Sequence, residues 1–448
     1  MLATIYMMAA KVLVPDYTID HTPGYPGVWS VKSNIMKPSK YNFILYRNGK
    51  SYWYNGFTHI FFQLSEGLGR KVEEVVCSEP ESLREISESL YDKLVQGCFI
   101  VDDNVDEVKR VLEQNEYAVN GKGYLLTILP TLNCNFRCWY CIQEHLAGTK
   151  MSPETIEKVK RHLEAKMENP DLQFLSIEWF GGEPFMYFDV IREISDFAKE
   201  LCRKKGIPFT STATTNGYFL TQDKIPFLKE YNFNRFQITL DGVRRAHDKV
   251  KFQSGCESAF DHVLTNINTM LEEMPELNMI LRINYTRENL DESIVEQVCS
   301  FISPENRSRV TVMPRKVWQI KPGDTFQKTT EHIWRKFKGA GFRIYNSSIV
   351  TDFVPCYTCR KNFLTINYNG QVLKCTANND LYSADPPGYL DDNGEVVMKK
   401  EYELKYALKS FDNDKCLDCK YLPLCMGRCP NHHLSLIHIS EPTRPLYI

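Results

Sequence analysis

The 448-residue chain has no run of about 18 or more uncharged apolar residues, so no transmembrane helix is expected. No basic stretch precedes the mildly apolar Met1–Val14, and no small-residue cleavage site follows it, so the chain reads as non-secretory and is expected in the cytoplasm. It also lacks a charge surplus. Lys and Arg number 54 against 56 Asp and Glu, a net −2, which removes any global electrostatic argument for nucleic acid or an anionic membrane as a partner. Cysteine is too sparse for a small disulfide scaffold: the 15 residues are odd in number and spread over the whole length. What remains is an ordinary globular composition, 43% hydrophobic and 25% charged, with room for roughly three domains of about 150 residues.

The cysteines are unevenly placed. Cys77, Cys98, Cys202, Cys256 and Cys299 stand alone and read as small hydrophobes. The other ten form two groups, Cys134 to Cys141 and Cys356 to Cys429, and clustered cysteines in a reducing compartment point to metal or catalysis.

Between the groups, short apolar runs alternate with helical periodicity. Strands are expected at 124–130, 174–180, 209–215, 235–240, 279–285 and 309–313, and amphipathic helices at 152–168, 187–205, 259–274 and 289–302. This alternation implies βαβ units and a parallel sheet, either doubly wound or an incomplete α/β barrel. Before it, residues 37–122 read as a small α+β module. Runs at 41–46 and 51–54 flank Asn48-Gly49, a pair that tolerates the positive φ angles of a type I′ hairpin turn. Helices are expected at 82–96 and 105–115. The last fourteen residues, 435–448, resemble translated adapter read-through and are expected to be a non-native tail.

Cys134-x3-Cys138-x2-Cys141 follows the first expected strand of the α/β region. Three thiolates so spaced can hold three corners of an iron–sulfur cube and leave one iron open to chemistry. A partial zinc site is the alternative, although no histidine lies between these cysteines.

With these residues in hand, positions 124–317 resemble the radical S-adenosylmethionine (SAM) superfamily. The resemblance implies a [4Fe–4S] cluster on Cys134, Cys138 and Cys141, with SAM chelated at the open iron and cleaved to a 5′-deoxyadenosyl radical. It places Tyr140 near the adenine. Gly181-Gly182-Glu183-Pro184 is then expected at the SAM amino group. Asn216 (in Thr214-Thr215-Asn216-Gly217) and Thr239 with Asp241 (in Thr239-Leu240-Asp241-Gly242, followed by His247-Asp248) would border the ribose and carboxylate. Arg282 is a candidate partner for the SAM carboxylate, or equally a core-edge arginine in a salt bridge. Four consecutive strand ends carrying such motifs favour an α/β fold built on a partial (β/α)6 barrel, whose strand ends share one mouth.

The second group reads Cys356-x2-Cys359-x10-Gly370-x4-Cys375, then Cys416-x2-Cys419-x5-Cys425-x3-Cys429. It resembles the SPASM extension of radical SAM enzymes. The resemblance implies one or two auxiliary [4Fe–4S] clusters: Cys356, Cys359, Cys375 and Cys429 on the first, and Cys416, Cys419 and Cys425 on three corners of the second. The family's last cysteine is absent. The expected division is 1–122 as the N-terminal module, 123–320 as the barrel, 321–434 as the SPASM domain and 435–448 as the tail.

SPASM enzymes mostly modify peptides or proteins. Sulfatase-maturing members carry an acid directly after the cysteine of the Gly-x4-Cys element, where this chain has Thr376, the nearest acid being Asp380. The expectation is therefore a maturase that crosslinks a ribosomally made peptide. Its leader would bind the N-terminal module, and a flavodoxin or ferredoxin would supply electrons. The alternatives are sulfatase maturation and a non-catalytic zinc-bearing module. The catalytic base is not identified.

Overall fold

The computed structural model describes residues 35–317, 319, 327–345, 356–377, 379–407, 411 and 413–426. The expected tail, 435–448, and Cys429 lie outside them. The chain divides into two compact units. The described residues of Met1–Val119, Ser348–Cys356 and Lys409–Ile448 belong to the first, and those of Asn120–Ser347 and Tyr357–Leu408 to the second. Residues of the 321–434 segment thus fall in both.

The first unit begins with β1 (Met36–Pro38), β2 (Asn42–Arg47), β3 (Lys50–Asn55) and β4 (Phe61–Ser65), and continues through α1 (Glu66–Ser78) and α2 (Leu83–Gln96) to β5 (Ile100–Asp102) and α3 (Glu107–Val119). The hairpin forms where its turn chemistry placed it. Asn48 and Gly49 take φ of 52° and 71°, the two left-handed positions of a type I′ turn, and β2, β3 and β4 pair as an antiparallel meander. The core is aromatic, with Phe62 packed against Trp53 and Phe99 at ring-centroid distances of 5.5 and 4.8 Å. The described C-terminal residues join this unit. Leu422 and Phe411 bury against Tyr41 and Val111, Tyr421 meets Phe43 at 4.9 Å, and Lys40 Nζ donates to Leu417 O at 3.0 Å. A segment with so few apolar residues cannot build a core alone, and it borrows one.

The second unit is built on one sheet. Its strands β6 (Gly123–Ile128), β7 (Phe174–Trp179), β8 (Phe209–Thr215), β9 (Phe233–Leu240), β10 (Asn278–Tyr285) and β11 (Val310–Lys316) lie side by side in chain order, all parallel. A doubly wound sheet would reverse its order part-way, and this one does not, so the architecture is that of a partial (β/α)6 barrel. β12 (Arg343–Ile344) extends it beyond β11, while β13 (Phe363–Ile366) pairs in parallel with β6 and antiparallel with β14 (Val372–Leu373). The expected helices form at Pro153–Met167, Phe188–Lys205, Ala259–Glu273 and Ser293–Cys299. Ser152 caps the first by accepting from Thr155 N at 3.2 Å, with Pro153 entering at N1, and Gly206 ends the second in the left-handed region. Ile128, Ile177, Ile238, Leu281 and Val312 fill the core between the strands and these helices.

Of the five isolated cysteines, Cys202 is buried as expected, whereas Cys77 is exposed. Among the described residues, no helix is long and apolar enough to cross a membrane.

Candidate active site

The cysteine loop leaves the end of β6 and is closed on itself by Leu146 N donating to Leu132 O at 3.1 Å and Met151 N donating to Pro130 O at 2.8 Å. Cys134 is buried, and its Sγ accepts from Phe136 N at 3.4 Å. Cys141 Sγ accepts from Gln143 N at 3.4 Å, and Cys141 N donates to Cys138 O at 3.1 Å. Burial pushes the thiols up, Cys134 to about 12 and Cys138 to about 11, and Cys141 moves the same way.

The glycine motif turns directly beneath this loop. Gly181 and Gly182 take φ of 87° and 51°, and a Cβ on Gly182 would meet Asn133 O at 2.0 Å, so only glycine allows the two backbones this close. Gly182 N donates to Gln143 Oε1 at 2.9 Å. Glu183 is fully buried and its carboxylate is committed internally. One oxygen accepts from Thr215 Oγ1 at 2.7 Å and Phe185 N at 3.1 Å, the other from Asn216 N at 2.8 Å, while Glu183 N donates to Asn133 O at 2.8 Å. Burial pushes this carboxyl up to about 7, against the pull of those donors. Pro184 begins the short 3₁₀ turn Pro184–Met186 that follows.

Asn216, at the end of β8, donates through Nδ2 to Asn135 Oδ1 at 2.8 Å and lies 3.8 Å from Cys134 Sγ. At the end of β9, Asp241 is fully buried. It accepts a short hydrogen bond from the Tyr140 hydroxyl and is 3.1 Å from Lys251 Nζ. Lys251 also donates to Thr239 O at 2.7 Å, and Thr239 sits across from Arg282 on β10. Arg282 Nε donates to Asn284 Oδ1 at 2.9 Å, and burial with Arg315 nearby holds its guanidinium below its ordinary value. Thus Cys134, Cys138, Cys141, Tyr140, Gly181, Gly182, Glu183, Asn216, Thr239, Asp241 and Arg282 all belong to the loops and strand ends around one mouth of the sheet.

Sequence reasoning missed Gln143, Asn135, Lys251 and Tyr382. The Tyr382 hydroxyl accepts from Glu144 N at 2.7 Å. Gln143 had a usable signal in its place two residues after the last loop cysteine, whereas nothing in the sequence set Lys251 apart. His247 itself is fully buried, with Nδ1 accepting from Asp241 N at 3.2 Å. Asp248 instead accepts from Phe260 N and Ser258 Oγ, both at 2.9 Å.

The later cysteines are divided between the units. Cys359 and Cys375 flank the β13–β14 hairpin of the second unit. Cys375 is buried, and its Sγ accepts from Ala377 N at 3.4 Å and lies 4.0 Å from the Tyr357 hydroxyl. Next to it, Lys374 is buried enough to be pushed down to about 8, with Nζ donating to Arg360 O and Phe363 O at 2.8 and 2.7 Å. Cys356, Cys416, Cys419 and Cys425 belong to the first unit.

Residues 128–296 match the family model of the radical SAM superfamily. The chain carries a radical SAM domain. Members of this superfamily are enzymes that use a [4Fe–4S] cluster and SAM. Among the relatives of this chain, a cysteine-type anaerobic sulfatase-maturating enzyme of Clostridium novyi is 25% identical over 69% of this chain and 88% of its own length. The radical SAM cyclopropyl synthase TigE of Paramaledivibacter caminithermalis is 24% identical over 76% of each. Among solved structures, Streptococcus suis SuiB bound to S-adenosylmethionine matches 89% of this chain and 96% of its own, at 14% identity and a TM-score of 0.46.

The residues present fit these groups. Three thiols share one loop with backbone N–H donors already on two of the sulfurs, a soft donor set suited to iron–sulfur ligation. Among the described residues, no three His, Cys, Asp or Glu side chains gather as ligands of a single ion. That gathering is a requirement of a zinc site and not of a cluster whose thiolates bind different irons.

Proposed function

We propose that this chain is a peptide maturase of the radical SAM type with a SPASM extension, installing a crosslink in a ribosomally made peptide. Cys134, Cys138 and Cys141 hold the [4Fe–4S] cluster. Gly181 and Gly182 bring bare backbone to SAM, and Tyr140, Asn216, Thr239, Asp241 and Arg282 line its flank. Glu183 and Pro184 act one step back, locking the glycine turn to the cysteine loop and to the end of β8. When bound, the cluster and SAM supply a 5′-deoxyadenosyl radical that abstracts hydrogen from the substrate. Cys356, Cys359, Cys375, Cys416, Cys419, Cys425 and Cys429 are the ligands of one or two auxiliary clusters.

The observation that carries the reading beyond SAM cleavage is the hairpin bearing Cys359 and Cys375. It is annealed directly onto β6, the strand that launches the cysteine loop, and its Cys375 is followed by Thr376, whose Oγ1 is 3.0 Å from the Tyr357 hydroxyl. No carboxylate occupies that position. The edge strands of the β2–β3–β4 sheet offer a leader peptide a place to add as a further strand. A flavodoxin or ferredoxin is the reductant.

The test is anaerobic reconstitution and dithionite reduction of the full chain. Cleavage of SAM to 5′-deoxyadenosine and methionine is expected, abolished in the triple Cys134/Cys138/Cys141→Ala variant while iron on the later cysteines stays. Undiminished cleavage in that variant overturns the assignment. A second reading, sulfatase maturation, is supported by the Clostridium novyi relative, 25% identical over 344 residues. Mass spectrometry separates the two readings: formylglycine in a Cys- or Ser-bearing sulfatase peptide favours the second, and loss of two hydrogens from a leader-bearing peptide favours the first.

A further inference from the structure

A buried ion pair lies against the cysteine loop. Lys251, just beyond the helix Arg244–Val250, is 3% exposed, and its partner Asp241 is fully buried. The ammonium is 3.1 Å from Asp241 Oδ2 and donates to Thr239 O at 2.7 Å. The other carboxylate oxygen receives the hydroxyl of Tyr140, which stands between Cys138 and Cys141. Removing two charges from water costs several kcal/mol per ion, and a well-packed apolar pair of similar volume is often as stable or more so. Packing alone therefore does not account for Lys251.

The surroundings do. Tyr140 lies between Cys138 and Cys141 in the loop, so the carboxylate it binds, and the ammonium that neutralises that carboxylate, are tied to the stretch that carries two of the three thiols. Without Lys251, a buried carboxylate on the loop would stand uncompensated. We propose that Lys251 is a positioning residue that sets the charge balance of the loop: it anchors Asp241 under Tyr140 and presents a buried cation that raises the reduction potential of the cluster held there. The inference rests on the assignment of Cys134, Cys138 and Cys141 to a cluster. Net charge is one of the determinants of cluster potential, and a buried cation favours the state carrying one more electron.

The experiment is a dithionite titration of the reconstituted full chain, followed by the electron paramagnetic resonance signal of the reduced SAM cluster, with iron counted separately. Lys251→Met should lower the one-electron equilibrium constant about tenfold, about 59 mV, at unchanged iron content, and Lys251→Arg should restore it. Asp241→Asn, which removes the opposing charge, should move the potential upward. An unmoved potential in Lys251→Met with iron retained overturns the proposal. Should Lys251→Met fail to take up iron, Asp241→Asn decides: a rise supports the proposal, and no change or a fall overturns it. Absence of any cluster in the parent protein would instead overturn the cysteine assignment, so the two failures are distinct.

Discussion

The Glu183 carboxylate accepts the backbone N–H of Asn216 at 2.8 Å, stapling the turn after β7 to the end of β8. Its other oxygen serves Thr215 and Phe185, so both oxygens are acceptors only. Glu183→Gln must set an NH₂ against one of these donors. A loss of about 1–3 kcal/mol is expected, the cost of a buried polar group left without a partner. Urea unfolding of the apo chain measures it, and a loss below about 0.5 kcal/mol would show the staple to be dispensable.

Gly182→Ala combines a left-handed backbone with a Cβ that would sit 2.0 Å from Asn133 O. Because the obstacle is backbone on the cysteine loop, that loop must shift. Reduced iron uptake is expected while far-ultraviolet circular dichroism stays near the parent's; full uptake would mean that the loop tolerates the shift.

Gly49→Ala is the contrasting case. Gly49 has φ of 71°, but a Cβ there meets nothing within 4 Å, so only the conformational cost of about 1–2 kcal/mol applies. Thermal unfolding should show this modest loss, with SAM cleavage unchanged.

His162 supplies a pH dependence away from the cysteines. Its Nε2 is 2.6 Å from the Tyr124 hydroxyl and its Nδ1 is 2.9 Å from Gly394 O, and burial lowers its pKa to about 4. A folded pKa below the unfolded value contributes stability above about pH 6.5, lost as pH falls toward 4. The apo chain should be roughly 2 kcal/mol less stable at pH 5 than at pH 8 through this group. His162→Gln should remove that part of the slope, and identical slopes in the two proteins would refute the assignment.

Much of this was legible in the sequence for local reasons. Five of the six barrel strands lie within two residues of their apolar runs, β11 runs three residues further, through Lys316, and Asn48-Gly49 specified its turn outright. Cysteine and glycine spacing marked the mouth because those residue types are needed at those positions. The Lys251–Asp241 pair left no such trace, since a lone lysine after a short helix reads as solvated until tertiary structure buries it. Likewise nothing near Leu422 announces that it packs against Tyr41 and Val111. Such contacts join distant stretches and carry no periodicity.

The strand β13 has a bearing on how the protein is made. Asn362 Nδ2 reaches Gly121 O across 241 positions of sequence, and the pairing of β13 with β6 starts at that same point. During synthesis the opening strand of the barrel therefore waits, with one edge bare, until the ribosome has delivered all five of the other barrel strands and the stretch up to Phe363. An edge exposed for that long invites mispairing between nascent chains. Expression of fragments ending before Phe363 is thus a hazard in itself, whatever becomes of the cysteines beyond.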